Sequence, residues 1–304
     1  MHEAILVNGE LPSLRRPIMV AAFWGFGDGT GTAIGALRHI RTLGNAPEVA
    51  TVDPDRFYDL SVARPRRIIE DGEPILRWPG TRFYVVHAER RDIVILAGRE
   101  PSVAWRTYCE VVADFMREVG STEFLALGSF GAATPHTRPT PVWMIQADAH
   151  FEELLRLTSQ RSRYEGPTDI ASALIAHLGS LGWHTARLSA LVPHYISFGP
   201  NPSAEIALIE AIAEPLGLTV SMAPLERARG EFAEHVDAAI AGLDSAARVR
   251  EHIEELERVY DASGLEAPDR RDAASEPGLP DAASVMERIE EILRGQSDEP
   301  ASDD

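Results

Sequence analysis

The stretch that most constrains this chain is its first apolar run. Ile18-Met19-Val20-Ala21-Ala22-Phe23 contains no polar residue, and Gly25-Phe26-Gly27-Asp28-Gly29-Thr30-Gly31-Thr32 follows almost at once. An uninterrupted apolar run of that length suits a strand buried on both faces. Beyond the glycines, residues 33–43 place Ile34, Leu37, Ile40 and Leu43 at helical spacing, and Gly44 ends the stripe. Strand, glycine loop, helix is the opening of an α/β unit.

The remaining chain repeats the alternation. Residues 48–52 read as a second strand, and 53–81, rich in Pro, Asp and Arg, as an excursion with little regular structure. Residues 82–89 and 92–96 form a predicted hairpin around Arg90-Arg91. A helix over 105–119, a short strand over 123–127 running into Gly128-Ser129-Phe130-Gly131, and a strand over 142–146 come next. A helix begins at Thr168, a strand covers 186–192, and Asn201-Pro202-Ser203 caps a helix through Leu216. Residues 218–222 read as a last strand. The expected fold is a three-layer α/β/α sandwich with a mixed, mainly parallel sheet, whose ligand-competent loops lie at the carboxyl ends of the strands.

Residues 231–260 change character. Phe232, Val236, Ile240 and Leu243, then Val249, Ile253, Leu256 and Tyr260, recur at helical spacing on a charged background, as one long or two consecutive amphipathic helices. The expected organisation is an α/β domain over 1–225, C-terminal helices over 226–262, and an acidic extension over 263–304. The extension is rich in Ala, Asp, Pro and Ser and reads as largely disordered, with a capped short helix at 284–294.

Charge and residue usage exclude several functions. The net charge is −18, and a duplex nucleic-acid binder needs a basic stripe, so no nucleic-acid partner is expected. Lysine is absent, which removes a Schiff-base lysine, a lysine general base and a P-loop. Cys109 is the single cysteine, so neither a disulfide framework nor a Cys-rich zinc site exists. No apolar run reaches the ~20 residues of a membrane span, and the first residues lack a signal-peptide pattern. A cytoplasmic protein with no membrane partner is expected.

Several segments together resemble the PAC2 (proteasome assembly chaperone 2) family, in particular its actinobacterial-type members. They are Gly25-Phe26-Gly27-Asp28-Gly29 after a buried strand, Pro135-His136-Thr137-Arg138-Pro139, Tyr164-Glu165-Gly166-Pro167, and Pro193-His194-Tyr195 followed by Asn201-Pro202. The helical end, from Phe232 to Leu256-Glu257-Arg258-Val259-Tyr260-Asp261, is similar too. The resemblance covers roughly residues 15–262. It implies a fold like the phosphorylase/nucleoside-hydrolase sandwich without an established catalytic centre. It also implies self-association, a trimer being one arrangement, and a role in assembling proteasome α subunits or another protein complex. Some family chaperones dock through a hydrophobic-Tyr-x tail. This chain ends Pro300-Ala301-Ser302-Asp303-Asp304, so docking of that kind is not expected.

Two loop groups are candidate sites. Gly25, Gly27 and Gly29 allow close backbone approach to an anion, whereas tight-turn geometry explains them equally, and Asp28 suits a helix cap. Pro135, His136, Thr137 and Arg138 follow one strand, and Pro193, His194, Tyr195 and Asn201 follow another. If those strands are parallel neighbours, Asp28, His136, Arg138 and His194 converge at one edge and offer acid, base and clamp to a hydrolase or transferase. The ligand would be nucleoside-like or an amino-carboxylate. The competing reading gives the same loops to backbone hydrogen bonding or a subunit interface. No cofactor or metal is expected, and the preferred reading is a non-enzymatic assembly protein.

Overall fold

The computed structural model describes residues 1–263 apart from 71, 161–163 and 197. In chain order it forms β1 (Ile5–Val7), β2 (Ile18–Trp24), α1 (Thr32–Leu43), β3 (Glu48–Val52), α2 (Pro54–Phe57), β4 (Arg66–Glu70), β5 (Glu73–Arg77), β6 (Thr81–His87) and β7 (Asp92–Arg99). There follow α3 (Trp105–Glu118), β8 (Glu123–Ala132), β9 (Val142–Ile145), α4 (Ala149–Leu155), β10 (Ser159–Gln160), α5 (Ile170–Ser180), β11 (His184–Pro193), α6 (Pro202–Leu216), α7 (Ala223–Ala241) and α8 (Ala246–Ser263).

One nine-stranded sheet runs in the order β1-β3-β6-β7-β2-β8-β11-β9-β10. Its centre, β7-β2-β8-β11, is parallel, and antiparallel pairs flank it. The apolar run of β2 explains the layering. Ile18, Val20 and Ala22 face a core shared with α1, α4 and α6, while Met19, Ala21 and Phe23 face the core under α3 and α5. Successive side chains of a strand point to opposite faces, so a strand buried on both must be apolar throughout. The fold is the expected α/β sandwich with a mixed sheet. The helices after β2 and β7, which are neighbours, leave for opposite faces. That divergence makes a crevice at the carboxyl ends of those two strands.

Several segments differ from expectation. Strand β8 continues through Gly128-Ser129-Phe130-Gly131, because β11 pairs with it in parallel from His184↔Glu123 to Pro193↔Ala132. Residues 218–222 form no strand: Leu218 is buried on the α1–α6 side of the sheet, with Val220 and Met222 packed against the same core. That burial needs no partner strand. The excursion contains α2 and a separate two-stranded hairpin, β4–β5, most of whose residues are exposed. Helix α5 starts two residues later than expected, with the Asp169 carboxylate accepting from Ser172 N at 2.8 Å. The amphipathic end forms two helices, α7 beginning earlier than its apolar stripe. The expected acidic extension beyond residue 263, with its helix at 284–294, lies outside the described residues.

Candidate functional site

The glycine loop after β2 is closed by its own side chains. Asp28 is buried, and its carboxylate accepts from Ala33 N at 3.1 Å, Ile34 N at 3.0 Å and the Ser129 hydroxyl at 2.5 Å. Burial pushes the carboxyl above its usual range, against the pull of those donors and of the more distant Arg187. Asp28 therefore binds the amides at the start of α1 that a bound anion would need.

Beneath the loop lies a buried ion pair, Arg187–Asp169 at 2.6 Å. Arg187 also donates to the Gly27 carbonyl (3.1 Å), the Ser189 hydroxyl (3.2 Å) and the Ser172 hydroxyl (3.3 Å). Burial opposes ionisation of Asp169, yet the guanidinium and the Ser172 donors hold its carboxyl below the usual value. A Cβ on Gly27 would lie 1.9 Å from Asp169 Oδ2, so the loop seats on the pair only because residue 27 lacks one. Neither Arg187 nor Asp169 stood out in the sequence. The capping position of Asp169 was the one signal available.

On the same side of the sheet as α1, Glu205 of α6 is 6% exposed, and its carboxylate makes no hydrogen bond or ion pair among the described residues. Its Oε1 occupies the place where a Cβ on Gly35 of α1 would sit, 1.7 Å away. Burial pushes its carboxyl up to about 7, with Asp28 adding to the rise and Arg38 opposing it. Asn201 caps α6 through Oδ1, accepting from Ser203 N at 3.0 Å and Ala204 N at 3.3 Å, and its own N–H donates to Thr32 Oγ1.

The second loop group gathers around Tyr195. The backbone N–H of His136 donates to Tyr195 Oη at 2.8 Å, and His136 Nδ1 lies 2.8 Å from the same oxygen. Asp237 Oδ1 faces Nε2 at 3.4 Å, which favours the proton on Nε2 and lets Nδ1 accept from the Tyr195 hydroxyl. Burial pushes the Tyr195 hydroxyl well up. His194 turns back: its N–H donates to the Ala132 carbonyl at 3.0 Å, and Nδ1 lies 3.1 Å from that oxygen.

Helices α7 and α8 clamp these loops. Arg138 forms a bidentate fork on Asp261 (2.9 and 2.8 Å) and reaches Glu257 at 3.2 Å. The Thr137 hydroxyl donates to Glu257, and Tyr260 Oη donates to the Pro139 carbonyl at 2.9 Å. Tyr195 and Ile196 join Val236, Ile240, Val249, Ile253 and Leu256 in a small core of their own. The structure thus brings His136, Thr137, Arg138, His194 and Tyr195 together with the helical end. It gives Asp28 separate partners: Asp28 shares no hydrogen bond or ion pair with either histidine. Asp237, Glu257 and Asp261 lie in the helical segment that carries the resemblance, but their pairing with His136 and Arg138, more than a hundred residues away, is visible only in the fold. Among the described residues, no group of three or more His, Cys, Asp or Glu is arranged to hold a metal ion.

A three-layer α/β sandwich with the loops after β8 and β11 packed under a C-terminal helix pair defines the class. The PAC2 family profile matches residues 22–240, and the chain belongs to the PAC2 family. It is similar to the PAC2 family protein of Streptomyces avermitilis, at 33% identity over 78% of this chain and 99% of that one, with a TM-score of 0.70. It is also similar to the proteasome-assembly chaperone homologue of Mycobacterium tuberculosis, at 33% identity over 76% and 98% of the two chains, TM-score 0.66. The archaeal proteasome activator of Pyrococcus furiosus shares the fold at 17% identity, covering 76% and 96% of the chains, TM-score 0.60. No curated protein matches the chain. No helix among the described residues is long and apolar enough to cross a membrane.

Proposed function

We propose that this protein is a non-enzymatic, self-associating assembly chaperone or scaffold that acts on a protein complex, the proteasome being the first candidate. The observation that carries this reading is the closure of the loops after β8 and β11 by α7 and α8. Those loops are where an α/β sheet keeps its chemistry. Here the His136 imidazole is spent on Tyr195 and Asp237, and the Arg138 fork on Asp261 and Glu257. A hydrolase or transferase using Asp28, His136, Arg138 and His194 needs them free around one ligand atom, and each has a partner within the chain. The kinship with the Mycobacterium tuberculosis chaperone homologue supports the same reading and directs it toward proteasome subunits. A cytoplasmic location fits that partner, and the single buried cysteine suits a reducing compartment.

Affinity capture of the tagged full-length chain from its native host, read by mass spectrometry and by sedimentation mass, tests the reading. The expected result is a small homo-oligomer that recovers proteasome α subunits or one other oligomeric complex in stoichiometric amount. Recovery of a monomer with no partner, or turnover of a small-molecule ester or nucleoside by the purified chain, overturns it.

A further inference from the structure

A cleft of about 420 Å³ lies between α1 and the β4–β5 hairpin and opens at the carboxyl ends of β2 and β7. Its floor is apolar, from Ile34, Leu37, Ile95 and Ala97. Its rim is made of arginines: Arg38 and Arg41 from α1, Arg64, the hairpin pair Arg66 and Arg77, and Arg99 at the end of β7. None of these six has an ion-pair partner among the described residues, and no carboxylate lines the cleft. Arg82, also on the rim, does pair, with Glu48 at 3.4 Å.

That concentration runs against the rest of the chain. Acidic residues outnumber basic ones 47 to 29, so a charged neighbour placed at random would be acidic more often than basic. Moreover Arg66 and Arg77 are register partners, directly opposite each other on the hairpin. Like charges so placed repel and destabilise the pair, and a bound anion relieves them. Planar guanidinium forks match phosphate oxygens bidentately.

Aromatic rings complete the lining. Arg99 lies over the Trp24 ring at 4.5 Å and Arg41 over Tyr84 at 4.7 Å, which holds both guanidinium planes in place. Trp24 and Trp78 are 45% and 44% exposed, so each keeps ring surface for a flat ligand to stack on. Trp24 and Arg99 are also register partners at the crevice where the helices after β2 and β7 diverge. The size suits a small molecule. An extended acidic peptide fits less well, because the cavity beyond Trp78 and Arg77 is lined by Glu48, Asp53 and Asp55.

We propose that this cleft binds a nucleoside polyphosphate, its phosphates on the arginines of α1 and the hairpin and its base against Trp24 and Trp78. The inference stands apart from the assembly reading, which neither requires nor excludes a bound nucleotide. The test titrates the full-length chain with ATP, GTP and inorganic triphosphate, reading heat and tryptophan fluorescence. Saturable nucleotide binding is expected, weaker at higher salt, with tryptophan quenching that triphosphate does not reproduce. The exposed-site variants R66A/R77A and, independently, R38A should weaken it at least tenfold while melting no lower than the parent does without ligand. Nucleotide should raise the melting temperature of the parent more than that of R66A/R77A. Absence of saturable binding at millimolar nucleotide overturns the proposal, as does affinity unchanged in both variants. Triphosphate binding as tightly as nucleotide removes the base from it, and a poly-glutamate peptide binding as tightly makes the cleft an acidic-segment groove; either result overturns it.

Discussion

At Glu205 the fold holds a carboxyl group in the space that a side chain at residue 35 would fill. The residue is only 6% exposed, and no donor among the described residues hydrogen-bonds its carboxyl. The unfolded chain releases that proton near 4.5, while the folded chain keeps it to about 7. Between those values the folded state binds more protons than the unfolded one, so stability falls as pH rises through the window and levels off above it. A displacement of that size corresponds to about 3 kcal/mol, at about 1.4 kcal/mol per pH unit. Asp28, raised for the same reason, slopes the same way. The isosteric change E205Q removes the ionisation and keeps the shape. We expect it to stabilise the protein at pH 8 by roughly 1–3 kcal/mol and to have little effect at pH 5. Thermal melts of parent and variant from pH 5 to 8 check this; parallel curves for the two proteins would show that Glu205 ionises freely in the fold.

Helices α7 and α8 are held differently from the sheet. Their small core is supplemented by polar clamps, Arg138 to Asp261 and Glu257, and Tyr260 to the Pro139 carbonyl. Elements with few buried apolar contacts open below the global free energy. In R138A the fork is lost while every sheet contact remains. Hydrogen exchange should therefore speed at least several-fold over 246–263 and over the 135–139 loop, with β2, β8 and β11 unchanged; uniform acceleration across the sheet would show instead that the helices open only with the whole domain. This dependence was only half legible in the sequence. The apolar stripe of α7 and α8 follows from spacing, as do the cap at Asn201 and the strand–loop–helix of β2 and α1. The loops carrying His136 and His194 also stood out, from their prolines and polar residues. Their partners did not, since an acidic residue such as Asp261 on a charged helix face looks like solvated surface until the fold brings Arg138 to it. Strand β8 was underestimated for a related reason. Gly128 and Gly131 read as a turn locally, and only the parallel ladder from β11 keeps them extended. The arginine cleft is not legible locally, because its six members without an ion-pair partner among the described residues are spread from residue 38 to 99.

For the molecule as a whole, the lone thiol offers a probe of cooperative opening. Cys109 lies on α3, is 3% exposed, and shares its core with Tyr108, Phe115 and the β2 face of the sheet. Burial pushes its thiol up to about 12, with Glu110 adding to the rise, so almost no thiolate exists at neutral pH in the folded state. Nothing short of separating α3 from the sheet gives a reagent access and restores an ordinary thiol. A disulfide reagent in excess should therefore label the native full-length chain at least a hundredfold more slowly than the denatured chain. The labelling rate should also rise with denaturant in step with loss of the far-ultraviolet helical signal. Because the chain contains no second cysteine, each labelling event reports on one site. In R138A, whose disturbance is confined to the α7–α8 side, the rate should stay at the parent value even as exchange over 246–263 quickens. Faster labelling in R138A would mean that the C-terminal helices and the sheet core unfold as one cooperative unit, and that the clamp on the carboxyl-end loops stabilises the entire sandwich.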